Sequence, residues 1–353
     1  MLLYIHIPFC DSKCSYCAFN SYVDKFSRRE RYMKALLEQL HFEMERFGVS
    51  AENRIETVFI GGGTPSTVEP ELYRDMFETI SPYLVEGCEI TAEANPNSAT
   101  RDWLEGMHRL GVNRISFGVQ SFDEEKLRTL GRAHRSDHAL NAIRQAAEIG
   151  FEHLSLDLIY GVTGDTKALL LRDIEQAFSL PIDHISLYSL TIEESTLFEH
   201  KPEMADEKLD LTQWLFDEIA SRGFKQYEIS NFGRYRSLHN LGYWEHKPYI
   251  GVGAGAVGFL DHRRFYPSND VDYYLQNPCE ITEETIGEDD LLSEKLFLGF
   301  RSCVGVGGAL LSEKQKAQAD LLVQEGLLET REGRYYNTDF LLADEIALRV
   351  EGF

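Results

Sequence analysis

The chain has 353 residues, 43% of them hydrophobic and 12% aromatic, enough apolar material for one large domain or two modest ones. Its 35 Lys and Arg stand against 58 Asp and Glu, a formal net charge of -23 that repels nucleic-acid phosphate and anionic membrane surfaces, so nucleic-acid partners are not expected. No apolar window approaches the roughly eighteen residues of a transmembrane helix, the first residues are strand-like without a basic leader, and a cytoplasmic location is the default.

The first predicted strand, LLYIHI (2–7), runs directly into PFCDSKCSYCAFN, where Cys10, Cys14 and Cys17 are spaced C-x3-C-x2-C. Three thiols this close suit a metal cluster better than disulfides. Iron-sulfur clusters are usually held by four cysteine thiolates, so three local ligands leave one iron of a 4Fe-4S cube open. A zinc site is the competing reading, but it normally closes with four ligands, and neither a second C-x2-C pair nor an H-x3-H follows. Cys88, Cys279 and Cys303 are scattered singly and read as small buried hydrophobes.

Further strands are predicted at IETVFI (55–60), CEITAEA (88–94), NRISFGV (113–119), HLSLDLI (153–159) and IDHISLYSL (182–190). Amphipathic helices fill the intervals, over 27–47 and 70–84 and after Ser98, Ser136 and Thr166. Six β-then-α units in series predict an α/β fold with a parallel sheet, closed or partly closed as a barrel, whose chemistry sits at the carboxyl ends of the strands. The GGGTPS turn, Gly61 to Ser66, stands at such an end, where bare backbone can approach a ligand and donate amide hydrogens. Taken singly, polar residues elsewhere in the barrel read as surface or capping residues, although their chemistry would suit such a site. Glu93 can accept from an ammonium or ribose hydroxyls, Arg132 can fork onto a carboxylate, and Asp157 can bind vicinal hydroxyls.

After this barrel (1–200) the rhythm changes. Residues 201–268 predict a smaller α+β extension, with a helix over 205–222 and strands rich in Tyr, His and Gly. Residues 269–290, rich in acids and turn formers, read as a linker, and 291–353 as a small C-terminal unit. In that unit a helix near 312–325 leads into GLLETREGRYYNT, a pattern like a winged helix and its wing. With 11 acids against 7 bases over 290–353, it is expected to pack as a lid and not to bind DNA.

Taken together, YIHIPFC-x3-C-x-Y-C (4–17), FIGGGTPS (59–66), EANP (93–96), FGVQSF (117–122), LGRAH (130–134), DLIYG (157–161) and HNLGYW (239–244) resemble the radical S-adenosylmethionine superfamily. Within it they are similar to the branch of oxygen-independent coproporphyrinogen III dehydrogenases and HemW-type haem chaperones. The resemblance implies a partial (βα)6 barrel, a 4Fe-4S cluster on Cys10, Cys14 and Cys17, and S-adenosylmethionine on the fourth iron. It assigns Tyr4 and Tyr16 as aromatic neighbours of cluster and adenine. Gly62, Gly63 and Thr64 would receive the methionine amino group, and Glu93, Gln120, Arg132 and Asp157 would contact the methionine moiety and ribose, with backbone near Ser189 and Val257. In radical-forming members, one electron from the cluster cleaves the sulfonium.

Two departures bear on the branch. Phe19 stands where the dehydrogenases carry a further cysteine, and only three residues precede Tyr4. Together with HNLGYW these favour a haem chaperone that hands haem to apoproteins such as respiratory cytochromes, as monomer or dimer. Radical decarboxylation of porphyrinogen propionates is the alternative. Over 222–247, Arg222, Lys225, Arg234, Arg236 and Lys247 form a local basic cluster suited to propionates, and Tyr235, Tyr243, Trp244 and Tyr249 offer flat faces. His239 and His246 offer imidazole to iron. His239 is the expected haem ligand, a packed hairpin with a backbone-satisfied histidine is the competing reading, and Cys279 and Cys303 are fallback ligands.

Overall fold

The computed structural model describes residues 1–352. Strands β1 (Leu2–Ile7), β2 (Ile55–Gly62), β3 (Leu84–Ala94), β4 (Arg114–Gln120), β5 (His153–Tyr160) and β6 (His184–Ser189) pair in parallel and in chain order. Between them run α1 (Arg29–Arg46), α2 (Arg74–Ile80), α3 (Arg101–Arg109), α4 (Glu124–Thr129), α5 (Ser136–Ile149) and α6 (Lys167–Phe178). The six strands have few exposed positions, because a parallel sheet covered by its own crossovers is buried on both faces. Helix α3 starts on a Thr100 cap, α4 on Asp123 and α6 on Thr166, and α5 stops at Gly150 in the left-handed region.

The sheet is larger than six strands. After α7 (Leu209–Ser221), β7 (Lys225–Gln226) and β8 (Asn231–Gly233) extend it antiparallel beyond β6. Helix α8 (Leu238–Trp244) then returns the chain to the other side, where β9 (Tyr249–Val252) pairs parallel to β1, with Leu2 opposite Tyr249. Strands β10 (Gly258–Leu260), β11 (Arg263–Pro267) and, after the short α9 (Val271–Tyr274), β12 (Ile281–Thr285) complete twelve strands in the order β12-β11-β10-β9-β1-β2-β3-β4-β5-β6-β8-β7. Strands β12 and β7 are the two edges, so the sheet is open. The stretch 269–290, expected as a linker, therefore carries α9 and an edge strand. Four of the five residues of β12 are exposed, which is why its composition reads as a connection.

The C-terminal residues form α10 (Glu288–Phe300), α11 (Glu313–Gln324) and α12 (Ala343–Glu351) around a three-stranded antiparallel sheet of β13 (Val306–Gly307), β14 (Leu328–Arg331) and β15 (Arg334–Asn337). Leu296, Phe300, Leu322, Ile346 and Val350 close a core separate from that of the large sheet. Among the described residues, no helix is long and apolar enough to cross a membrane.

Candidate functional site

The loop after β1 carries the three cysteines and is pinned at its base. Phe9 bridges to Tyr22, Cys10 N–H donates to Tyr22 O at 3.1 Å and Tyr22 N–H to Pro8 O at 2.7 Å. Farther along, Ser15 N–H donates to Leu130 O at 3.0 Å, tying the loop to the end of α4. Buried Phe9 anchors the whole segment edge-on against Tyr32, 5.3 Å between ring centroids. The three thiols thus hang from the barrel mouth over the strand ends.

All three thiols line a cavity of about 430 Å³ at the carboxyl ends of the strands, the place an α/β barrel reserves for chemistry. Tyr16, Gly62, Gly63, Thr64, Glu93, Gln120, Arg132 and Asp157 line it too, so residues as distant in sequence as Cys10 and Asp157 meet at one site. Ser189 joins them from β6, and Phe19 stands at the rim, 65% exposed.

The glycine loop works differently from the expectation. Gly62 N–H donates to Glu93 Oε2 at 3.1 Å and Gly63 N–H to Ile7 O at 2.8 Å, so both amides are engaged within the protein. What demands glycine is packing. Gly62 has φ of +110°, and a Cβ there would stand 2.5 Å from the His6 ring. A Cβ on Gly63 would meet Ile7 O and Phe9 O at 2.9 Å. The loop lies flush under the cysteine segment, which places Thr64 Oγ1 to donate to Cys10 Sγ at 3.4 Å.

Arg132 reaches the cluster loop from the opposite side. Its guanidinium donates to Cys14 Sγ at 3.1 Å and to Asn95 Oδ1 and Gly118 O at 2.6 Å each, while Nε is buried without a partner. Asn95, which the sequence reading passed over, links the two halves, since its amide also donates to Thr64 Oγ1 at 3.1 Å. The signal for it was its place within the EANP string. Tyr188 and Ser116, also on the cavity wall, carry no comparable signal. Gln120 is the one residue of β4 with positive φ, +68°, at a register shift between Gly118 and Gln120. That bulge aims its side chain into the cavity.

Electrostatically the floor is a pair of carboxyls. Burial, then the neighbouring Asp157, pushes Glu93 up to about 8, and burial likewise raises Asp157, against hydrogen bonds from Ser186 and Ser116. With Arg132 committed to Cys14, Asn95 and Gly118, the site has two acids in want of a cation or hydroxyl donors. An ammonium group and a ribose diol match that need. Burial raises the Cys10 and Cys17 thiols, so both are held as thiols until a metal takes the proton's place. Among the described residues no three His, Cys, Asp or Glu side chains converge on a point that holds a single metal ion, the three cysteines included.

Three assigned positions, Tyr4, His239 and the Val257 backbone, lie outside this cavity. Tyr4 is mid-strand, three residues or roughly 10 Å below the end of β1, and its hydroxyl bonds His6 Nδ1 at 3.0 Å. It lines a second cavity together with Val257, not the one with the cysteines. His239, expected as a haem ligand, is 1% exposed within α8. Its Nδ1 bonds Thr57 Oγ1 at 2.7 Å, its ring packs on Phe59 and Tyr243, and Nε2 is buried without a partner. It lines neither cavity, and a macrocycle reaches it only if α8 lifts from β2. Burial pushes it down to about 3, a neutral packed imidazole. The expected basic cluster also disperses: Arg222 pairs with Glu218, Lys247 with Glu56 and Glu245, and Arg234 and Arg236 lie over Phe224 and Tyr227.

The family described as the radical SAM superfamily matches residues 4–177. The chain is 33% identical to Heme chaperone HemW of Bacillus subtilis over 95% of its own length and 94% of that protein's. It is 38% identical to Heme chaperone HemW of Escherichia coli over 72% of the chain and 69% of that protein. A mitochondrial radical S-adenosyl methionine domain-containing protein of Danio rerio is 34% identical over 98% of the chain and 82% of its own. In fold, the chain superposes on the solved coproporphyrinogen III oxidase HemN of Escherichia coli with a TM-score of 0.84 at 20% identity, covering 99% of this chain and 90% of that one.

Proposed function

The chain belongs to the radical SAM superfamily and, within it, to the HemW heme chaperone family, and from that premise we propose that it carries haem and passes it to apo-haemoproteins. The observation that carries the reading is the reach of the likeness: relatives named as heme chaperones match across 95% of the chain, well beyond the barrel. Phe19 at the cavity rim supports it, since a dehydrogenase-like site carries cysteine there.

In this reading Cys10, Cys14 and Cys17 hold a 4Fe-4S cluster, and S-adenosylmethionine fills the cavity beside it. When bound, the pair supplies one-electron chemistry that no side chain provides. The chain's own part is positional. Arg132 and Thr64 donate to the Cys14 and Cys10 sulfurs and so moderate the charge on the ligands. Glu93 gives up its proton to ion-pair with an ammonium, Asp157 and Gln120 take hydroxyls, and Phe19 with Leu190 and Ile159 limits water at the rim. The six cysteines are unpaired, which suits a reducing compartment such as the cytoplasm. Haem is the cargo and apo-cytochromes are the expected recipients.

The test is anaerobic. Cluster-loaded protein charged with haem is mixed with an apo-cytochrome, and a parallel sample receives coproporphyrinogen, with products resolved by chromatography. Haem appearing in the cytochrome without decarboxylated porphyrinogen supports the chaperone. Robust decarboxylation makes it a dehydrogenase instead.

A further inference from the structure

A second cavity, of about 670 Å³, lies between the barrel's β9–β11 edge and helix α10 of the C-terminal unit. The cluster site makes no use of it. Its walls are aromatic, with Tyr243, Tyr249, Phe259 and Phe297 contributed by four different elements. Tyr243 meets Tyr249 edge-on at 4.8 Å and Phe259 lies 5.9 Å from Tyr249, an aromatic lining that offers apolar area to a flat ligand. Arg264 and Arg301 stand on its border.

His246 is the unusual member. It follows the end of α8 with φ of +57°, in the left-handed position that helices normally terminate with glycine or asparagine. A β-carbon is mildly strained there, and histidine is among the residues that tolerate the position. Its Nε2 bonds Glu294 Oε2 at 3.1 Å, and Glu294 also accepts from Arg264. Among the described residues Nδ1 takes no hydrogen bond. A histidine with a carboxylate on one ring nitrogen and the other one free is the usual arrangement of a metal-binding imidazole. Arg301 is held by Asp344 through Nε and NH2, which leaves its remaining N–H groups for a carboxylate.

We propose that this cavity is the haem seat, with His246 Nδ1 on the iron, Glu294 orienting the ring, the four aromatic side chains against the macrocycle, and Arg264 and Arg301 beside the propionates. The proposal rests on the haem-chaperone reading. It gives the C-terminal unit a role as one wall of the cargo site and moves the iron ligand seven residues past His239, to a position just beyond the end of the same helix.

The experiment is a haemin titration of the full, cluster-loaded chain, followed in the Soret region. His246→Gly removes the imidazole while suiting the left-handed backbone, so the fold is kept. It should lose the histidine-ligated band and regain it when free imidazole is added. His246→Cys should shift the band to a thiolate type, Glu294→Gln should weaken binding about tenfold, and Phe297→Arg should abolish it. His239→Ala, if circular dichroism shows it folded, should bind like the parent. If the parent binds haemin and the four cavity variants match its spectrum and affinity, the site assignment fails while the carrier reading stands. Loss of the band in folded His239→Ala alone fails it equally. If the parent takes up no haemin, the carrier reading itself fails.

Discussion

Gly62 is the residue on which the site's assembly turns. With φ of +110° and the His6 ring 2.5 Å from where its Cβ would be, Gly62→Ala adds backbone strain and a clash beneath the cysteine loop. The expected cost is on the order of 2–4 kcal/mol, read by urea unfolding, together with lower iron retention after reconstitution. A variant as stable as the parent contradicts that packing. Arg132 makes a different prediction. Lysine keeps the charge but cannot reach Cys14, Asn95 and Gly118 together. Because those contacts hold the Cys14 side of the cavity, Arg132→Lys should retain less iron after reconstitution and bind S-adenosylmethionine roughly tenfold more weakly by calorimetry, and unchanged iron and affinity would contradict this positioning role. At this scale the motif residues were legible because their types match their chemistry. Tyr4 and His239 were not, because a motif string records identity and not depth. Tyr4 sits below the strand ends and His239 inside a helix-sheet contact, facts that depend on partners such as Thr57 far along the chain.

Among the elements, the six parallel strands could be read from alternation with helices, since each is a near-continuous apolar run bounded by caps and turns. Strands β9 and β12 escaped that logic. One is four residues inside a Tyr- and Gly-rich stretch and the other is an exposed acidic edge, so neither has a period to detect. Helix α1 shows what burial inside an element does to a charge. Glu43 is 2% exposed, both its oxygens lack a hydrogen bond, and Arg46 Nε is 3.7 Å away. Burial pushes it up to about 7 from 4.5. The folded state therefore binds that proton more tightly than the unfolded chain, and its stability falls as pH rises from about 4.5 through about 7. Glu43→Gln removes this dependence. It should be within about 0.5 kcal/mol of the parent near pH 4.5 and more stable by about 1–3 kcal/mol at pH 8. Urea melts at the two pH values check it, and a difference that ignores pH would contradict a buried carboxyl that lacks a hydrogen bond.

For the whole molecule, one open sheet serves two cavities. The cysteine cavity lies at the carboxyl ends of β1 to β6, and the aromatic cavity is roofed by α10 on the side where β9 joins β1. The first was expected from the order of the motifs. The second depends on β9 docking parallel to β1 and on a helix more than 280 residues from it in sequence, a juxtaposition only the folded chain reveals. The account stands or falls on an iron cluster held by three thiols with one corner open to a sulfonium nucleotide. Electron paramagnetic resonance of the anaerobically reconstituted, reduced protein, recorded with and without S-adenosylmethionine, tests it most directly. The account predicts a 4Fe-4S signal whose g-values shift when S-adenosylmethionine is added. A spectrum indifferent to that addition, or no cluster signal at all, would contradict it.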